Sequence, residues 1–237
     1  MANGVRSIAR ATSADFLHWT DPVVMQANQP GEHLYTSGTH PYFRAPHIYI
    51  ALATRFMANR SSITDVVLMA SRPGSTSYAR LFPEAFIRPG LGKDGWGNRS
   101  NYIAWHVVPT SGTEMSMYNV NGDHLVLRID GFISIHAGAA EGEFVTKPFT
   151  FQGRQLEINE STSAAGRIRV EIQDADGDVI EGYTLEDSET IYGDRIRHVV
   201  RWGTQQEQNG DVSRLAGQPI RLRFVMQEAD LYSFKFE

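Results

Sequence analysis

Pro41-Tyr42-Phe43-Arg44-Ala45-Pro46-His47-Ile48-Tyr49-Ile50-Ala51-Leu52, running on to Thr54-Arg55-Phe56, is the stretch from which the fold of this chain is read. From His47 to Phe56 the residues alternate. Ile48, Ile50, Leu52 and Phe56 fall on one side, and His47, Tyr49, Ala51, Ala53 and Arg55 on the other, which is the period of a strand with both faces occupied. Pro46 has no N–H to give a ladder and Pro41 holds φ extended. The segment Gly38 to Pro46 is therefore expected to be a loop, pinned by prolines, that delivers Arg44 and His47 to one end of a sheet.

Outward from that stretch the same character continues in both directions. On the N-terminal side, Val5 to Ala11 reads as a strand, followed by the polar turn and aromatic of Thr12-Ser13-Ala14-Asp15-Phe16-Leu17-His18-Trp19. Asp21-Pro22-Val23-Val24 then completes a hairpin whose tryptophan covers the sheet. On the C-terminal side, strands are expected at Thr64 to Ser71, Tyr102 to Val108, Glu114 to Val120 and His124 to Asp130. Between the first two lies a loop holding Gly90, Gly92, Gly95 and Gly97 with Trp96 and Asn98-Arg99; Asn121-Gly122 marks a hairpin between the last two. Beyond Asp130 the alternation is more regular: Ile168, Val170 and Ile172 oppose Arg167, Arg169 and Glu171, and Ile220, Leu222 and Phe224 oppose Arg221 and Arg223. Tyr232, Phe234 and Phe236 oppose Leu231, Ser233 and Lys235. These are strands of a sheet with one wet face. The one helix candidate is a turn at Asp211 to Gly217, with Asp211 as cap.

Composition bounds the function. The chain has 237 residues, 22 Lys and Arg against 27 Asp and Glu, and a net charge of -5 with no basic face, so nucleic acid is not expected as a partner. There is no cysteine, which excludes disulfides, thiolate zinc sites and cysteine nucleophiles and leaves the compartment unknown. Apolar runs are strand-sized, far short of the roughly 20 residues that span a bilayer as a helix, and no membrane is expected as a partner. The first eight residues hold no apolar signal-peptide core and read as the middle of a fold.

Three features together resemble a family. Ser13-Ala14-Asp15-Phe16-Leu17-His18-Trp19 is similar to the Ser-x-Asp-Leu-x-His-Trp motif of the invertase-like family-32 glycoside hydrolases, which are five-bladed β-propellers. Ser71-Arg72-Pro73-Gly74 through Tyr78, Arg80 and Phe82 looks like a degraded second copy, and Asp130-Gly131-Phe132 to Leu231-Tyr232-Ser233-Phe234 looks like the β-sandwich that trails such propellers. The resemblance implies an all-β chain: a partial five-bladed-type β-propeller of about two and a half blades over 1–129, then a jelly-roll-like β-sandwich over 130–237. It implies a carbohydrate-active, glycoside-hydrolase-like protein acting on an oligosaccharide or polysaccharide. The hydrolysis would belong to a full-length parent, because the family's Trp-Met-Asn-Asp-Pro segment with its nucleophile is absent here. The local match to its Trp-Glu-Cys-Pro is Phe43-Arg44-Ala45-Pro46, which sets a guanidinium where the proton donor stands. The alternative is a non-catalytic carbohydrate-binding or interaction protein of the same architecture, with an open propeller edge that invites association.

The candidate residues follow from that reading. His40, Arg44 and His47 could clamp an anionic sugar or sugar acid; the alternative is that Arg44 forms an inter-blade ion pair and the histidines finish the loop's hydrogen bonds. Glu84 and Glu114 are the carboxylates placed to act as catalytic groups, Glu114 in phase with Ser116 and Tyr118. Either is equally at home on a surface. Asp174-Ala175-Asp176-Gly177-Asp178 lacks the glycine and glutamate of a calcium loop at the sixth and twelfth positions and reads as a hairpin turn. No metal and no cofactor is expected.

Overall fold

The computed structural model describes residues 4–97, 100–204 and 209–237; the Asn98-Arg99 part of the glycine-rich loop and Met1 to Asn3 at the chain's opening lie outside them. The chain is all-β, 48% strand and 3% helix, in several antiparallel sheets of which none closes. It divides into two compact units, Met1–Leu127 and Arg128–Glu237.

The N-terminal unit is built on the quoted stretch. β1 (Ala9–Arg10) and β2 (Val23–Val24) form a small two-stranded sheet. β3 (His33–Thr36) and β4 (His40–Tyr42) lie one after the other along one edge of the 13-residue β5 (Ala45–Met57). β6 (Ile63–Ser71) pairs with the other edge from Tyr49↔Ser71 to Met57↔Ile63. Ala79 and Ile87 bridge to the far side of β6 at Ala70 and Val66, continuing the meander into a fourth position. Both faces of β5 are covered, as its alternation requires: Ile50, Leu52 and Thr54 are buried, and Ala51 and Ala53 pack with Val67, Met69, Leu34 and Ala27 on the opposite side. A third sheet follows: β7 (Val108–Pro109), β8 (Glu114–Tyr118) and β9 (His124–Arg128).

Three expectations for this unit are corrected. Gly38 to Pro46 is not a loop but a tight hairpin, in which Phe43 and Arg44 are the two turn residues between Tyr42 and Ala45. Both prolines sit inside strands: Pro41 in β4 at the sheet edge, where the register slips before Tyr42, and Pro46 in the opening of β5, ahead of its first β6 partner at Tyr49. The strand expected from Tyr102 to Val108 is reduced to β7 and a single bridge, Ile103↔Asn119, because the chain turns at His106 with φ +88°. The Ser13 to Trp19 stretch does form the expected tight turn, but its tryptophan does not cover the sheet. Asp15 Oδ1 accepts the N–H groups of Leu17 and His18, Ser13 bridges Trp19, and Phe16, Leu17 and Trp19 stay exposed.

In the C-terminal unit the named strands form one five-stranded sheet. β12 (Leu156–Asp174) and β14 (Ile220–Phe236) are its long central pair, β13 (Asp194–Val199) flanks β12, and β10 (Ile135–Ala137) and β11 (Gly142–Val145) follow each other along β14. Its apolar face carries Ile168, Val170, Ile172, Leu222 and Phe224, all inaccessible to solvent. It is roofed by Tyr183, Ile191, Trp202, Val212 and Leu215 from the segments between the strands. Trp202 is 2% exposed and its indole N–H donates to Val170 O at 2.8 Å.

Two bulges interrupt the central ladder. The first, where Asn159 faces Ser233 but Glu160 faces Leu231, leaves Tyr232 as the extra residue and puts Leu231 in the core; beyond it Phe236 packs against the core as its period requires, and the Phe234 ring, 37% exposed, lies 6.1 Å from Phe224. The second lies between Thr162 and Arg167. There a Cβ on Gly166 would stand 2.3 Å from Glu228 O, so only glycine lets the strands approach this closely. A single 3-10 turn, Ser213–Leu215, stands where the helical turn is expected; its N-cap residue is Val212 without a side-chain cap, and Asp211, one residue earlier, accepts the N–H of Ser213 through Oδ1. Asp174 Oδ1 likewise accepts three N–H groups, from Asp176, Gly177 and Asp178, and closes a hairpin turn.

Candidate functional site

His40, Arg44 and His47 lie on one hairpin, β4–β5, and Glu84 and Glu114 come from other segments of the same unit. His40 is 3% exposed and both ring nitrogens are engaged: Nδ1–H donates to Gly38 O at 2.8 Å, and Nε2 accepts the N–H of Val107 at 3.2 Å. Burial holds this imidazole below its ordinary pKa, opposed by the Gly38 carbonyl and aided by His106, whose ring lies 4.3 Å away. A ring with no free nitrogen ties the 105–107 turn to β4 and leaves nothing for a ligand. Arg44 is half-buried in the hairpin turn, and His47 is exposed on β5.

The two carboxylates are exposed and belong to different parts of the unit. Glu84 is in the segment that bridges β6, while Glu114 opens β8 after a turn in which Ser111 Oγ accepts its N–H at 3.0 Å. Ser116, in phase with Glu114, is fully buried and bonded to Thr110 Oγ1 and His124 Nε2, each at 2.8 Å. A wholly buried hydroxyl is out of reach of a substrate.

A concave site lies elsewhere in the same unit. An open groove of about 740 Å³ is lined by residues 24–31 together with Val5, Ser7, Tyr78 and Arg80. Its wall is a segment with no helix or ladder of its own that is held by borrowed hydrogen bonds. Met25 N–H donates to Ile8 O, Gln26 N–H to Thr76 O, and Tyr78 N–H returns to Gln26 O, all between 2.8 and 2.9 Å. The Asn28 amide donates to the carbonyls of Arg6 and Glu32 at 2.8 and 2.9 Å, so the turn at Pro30-Gly31 is fixed on both sides. On this fixed backbone Gln26 and Gln29 are exposed and Ser7 is half-buried, while the Asn28 amide and Tyr78 hydroxyl are already bonded within the fold.

Arg80 is the charged residue of the lining, with a side chain 4% exposed. Its Nη1 and Nη2 donate to the two oxygens of Glu32 at 2.5 and 3.2 Å, and to the carbonyls of Ala27 and Pro83. Its Nε–H has no partner among the described residues. Arg55 lies beside this pair. It forks onto Asp65 at 2.9 and 2.6 Å and shares the Pro83 carbonyl, and the Asp65 carboxylate raises the guanidinium further above its usual pKa. Two guanidinium groups and two carboxylates thus cancel. From the groove wall a short relay leads outward: Tyr78 OH meets Thr39 Oγ1 at 2.7 Å, and Thr39 O accepts the indole N–H of Trp105 at 3.1 Å. Trp105 is 66% exposed with its ring held, against the edge of His106 at 4.6 Å.

The groove's lining is uncharged apart from Arg80 and comes from three separated segments, so no contiguous motif marks it. A titratable cluster in the C-terminal unit is likewise unmarked. Glu160, at the first bulge, is wholly buried, and neither carboxyl oxygen has a hydrogen-bond partner among the described residues. Burial pushes its pKa up, opposed by Arg195, His198 and Arg128. Arg195 Nε comes within 3.5 Å of Oε1, close enough to attract. That guanidinium gives its hydrogen bonds to Tyr192 O and His198 Nδ1 instead, both at 2.5 Å. His198 then donates through Nε2 to Glu189 at 3.0 Å.

No protein-family model, curated protein or solved structure matches the chain.

Proposed function

We propose that this chain is a non-catalytic carbohydrate-binding protein, built as a partial β-propeller followed by a jelly-roll-like β-sandwich and related to the family-32-like glycoside hydrolases. The observation that carries the binding reading is the groove. Its lining combines side-chain amides, a tyrosine and a guanidinium whose charge is already neutralised, a set of donors and acceptors that suits the hydroxyl groups of a sugar. Trp105, exposed yet held by its own N–H, offers a ring face on which a pyranose or furanose can stack.

Support for the architecture is local. The meander from β3 and β4 through β5 and β6 to Ala79 and Ile87 has the four-position antiparallel order of a blade, and Ser13 to Trp19 closes the turn that its motif describes. Hydrolysis with retention needs two carboxyl groups about 5 Å apart. The family's nucleophile segment is absent from this chain, and Arg44 stands at the local match to its proton donor, so binding without bond cleavage is the better reading.

Isothermal titration of neutral oligosaccharides against the wild type and a Gln26→Ala/Gln29→Ala variant tests the proposal. Both side chains are on exposed residues, so the variant keeps its fold. The expected result is saturable binding that the variant weakens about tenfold, roughly 1.4 kcal/mol. Equal binding by both proteins would remove the groove from the account.

A further inference from the structure

We infer that Glu32 is a specificity-determining residue of the groove: by occupying both terminal nitrogens of Arg80 it turns a cation site into a site for uncharged, hydroxyl-rich sugars. This inference rests on the carbohydrate reading and adds the class of sugar.

An arginine lining a groove ordinarily selects carboxylate or sulfate, because its planar fork gives two parallel N–H donors to two oxygens. Here that fork is spent. Nη1 and Nη2 both face Glu32, at 2.5 and 3.2 Å, and take the carbonyls of Ala27 and Pro83 as well. The nearest second guanidinium, Arg55, is forked onto Asp65. An incoming anion meets two positive and two negative groups held by the fold, and no net attraction offsets the cost of stripping its water. It also approaches Glu32, whose side chain is 7% exposed and so poorly screened.

The third donor, Nε–H, is buried with the rest of a side chain 4% exposed and is out of a ligand's reach. What the lining leaves for a ligand is uncharged: the amides of Gln26 and Gln29 and the hydroxyl of Ser7 can each donate and accept, which matches hydroxyl groups and not carboxylates.

The test is a titration of the full chain with size-matched neutral, uronic and sulfated oligosaccharides at 20 mM and 500 mM salt, repeated on Glu32→Gln. For the wild type we expect neutral sugars to bind at least about tenfold more tightly than uronic ones, with no change between the two salt concentrations. In Glu32→Gln, which keeps the side-chain shape and frees the Arg80 charge, uronic and sulfated sugars should gain about tenfold or more at low salt and lose it at high salt. Uronic sugars binding the wild type as well as or better than neutral ones would overturn the specificity inference alone. An absence of binding by every sugar would overturn the carbohydrate reading and this inference with it. Should Glu32→Gln fail to fold, the wild-type preference and its salt response still decide the matter.

Discussion

Replacing Glu160 by methionine exchanges a wholly buried carboxyl group, with no hydrogen bond on either oxygen, for an apolar chain of similar volume. An unmet buried polar group costs about 1–3 kcal/mol. The nearest cation, Arg195, is 46% exposed and keeps its bonds to Tyr192 and His198 without Glu160. Glu160→Met is therefore expected to stabilise the C-terminal unit by about 1–3 kcal/mol at pH 7. The pH dependence has a definite sign. Burial raises the folded pKa above the ordinary 4.5, so the folded unit holds a proton that the unfolded chain releases. Stability is full below pH 4.5 and falls as pH rises from there through the folded pKa, by at most about 1.4 kcal/mol per pH unit. The groups facing Glu160 are Arg195, His198 and Asp194 on β13, with Arg128 at the end of β9. Urea unfolding between pH 4.5 and 8, followed by the emission of buried Trp202, should show this slope in the wild type and its loss in Glu160→Met. A variant destabilised by about 3 kcal/mol or more at pH 7 would refute the reasoning, because that is the cost of orphaning a working ion pair.

Further outcomes are expected. Trp202→Ala should cost the C-terminal unit about 3–5 kcal/mol by urea unfolding, since it empties the roof of the core and leaves Val170 O without its donor. Residues 128–237, expressed alone, should give one cooperative thermal transition, and its absence would show that the unit's core does not suffice. His40 works in the opposite sense to Glu160. Its folded pKa lies below 6.5, so the N-terminal unit loses stability as pH falls from 6.5 through that folded value, which hydrogen exchange at Val107 can follow and His40→Gln should flatten.

The long strands were legible because their alternation survives in the fold. β5 and β6 run in unbroken register over nine pairs, and Ile168, Val170 and Ile172 face the core as their period requires. What the sequence hid was set by local exceptions and by long-range closure. Pro41 and Pro46 speak for a loop unless the edge position of β4 is known, and His106 ends a plausible strand through a backbone angle that no alternation encodes. Glu160 sits in Leu156-Glu157-Ile158-Asn159-Glu160, where Asn159 and Glu160 are both buried, and only the bulge explains two consecutive polar residues inside. The groove draws on residues near 5, 24–31 and 78–80, and its key pair, Glu32 with Arg80, is separated by 48 residues. Arg44, the more conspicuous cation, occupies the turn of the proline-flanked hairpin.

The central claim, that the groove around Arg80 binds a sugar and does not cleave it, can be tested residue by residue in one titration. The full chain, labelled with ¹⁵N, would be titrated with a neutral oligosaccharide while backbone amides, glutamine side chains and arginine Nε–H resonances are followed. We expect the side-chain amides of Gln26 and Gln29 to shift together with the backbone amides of the 24–31 wall, and the sugar to remain intact. Shifts gathered instead at Arg44 and His47, or a released reducing end, would contradict it.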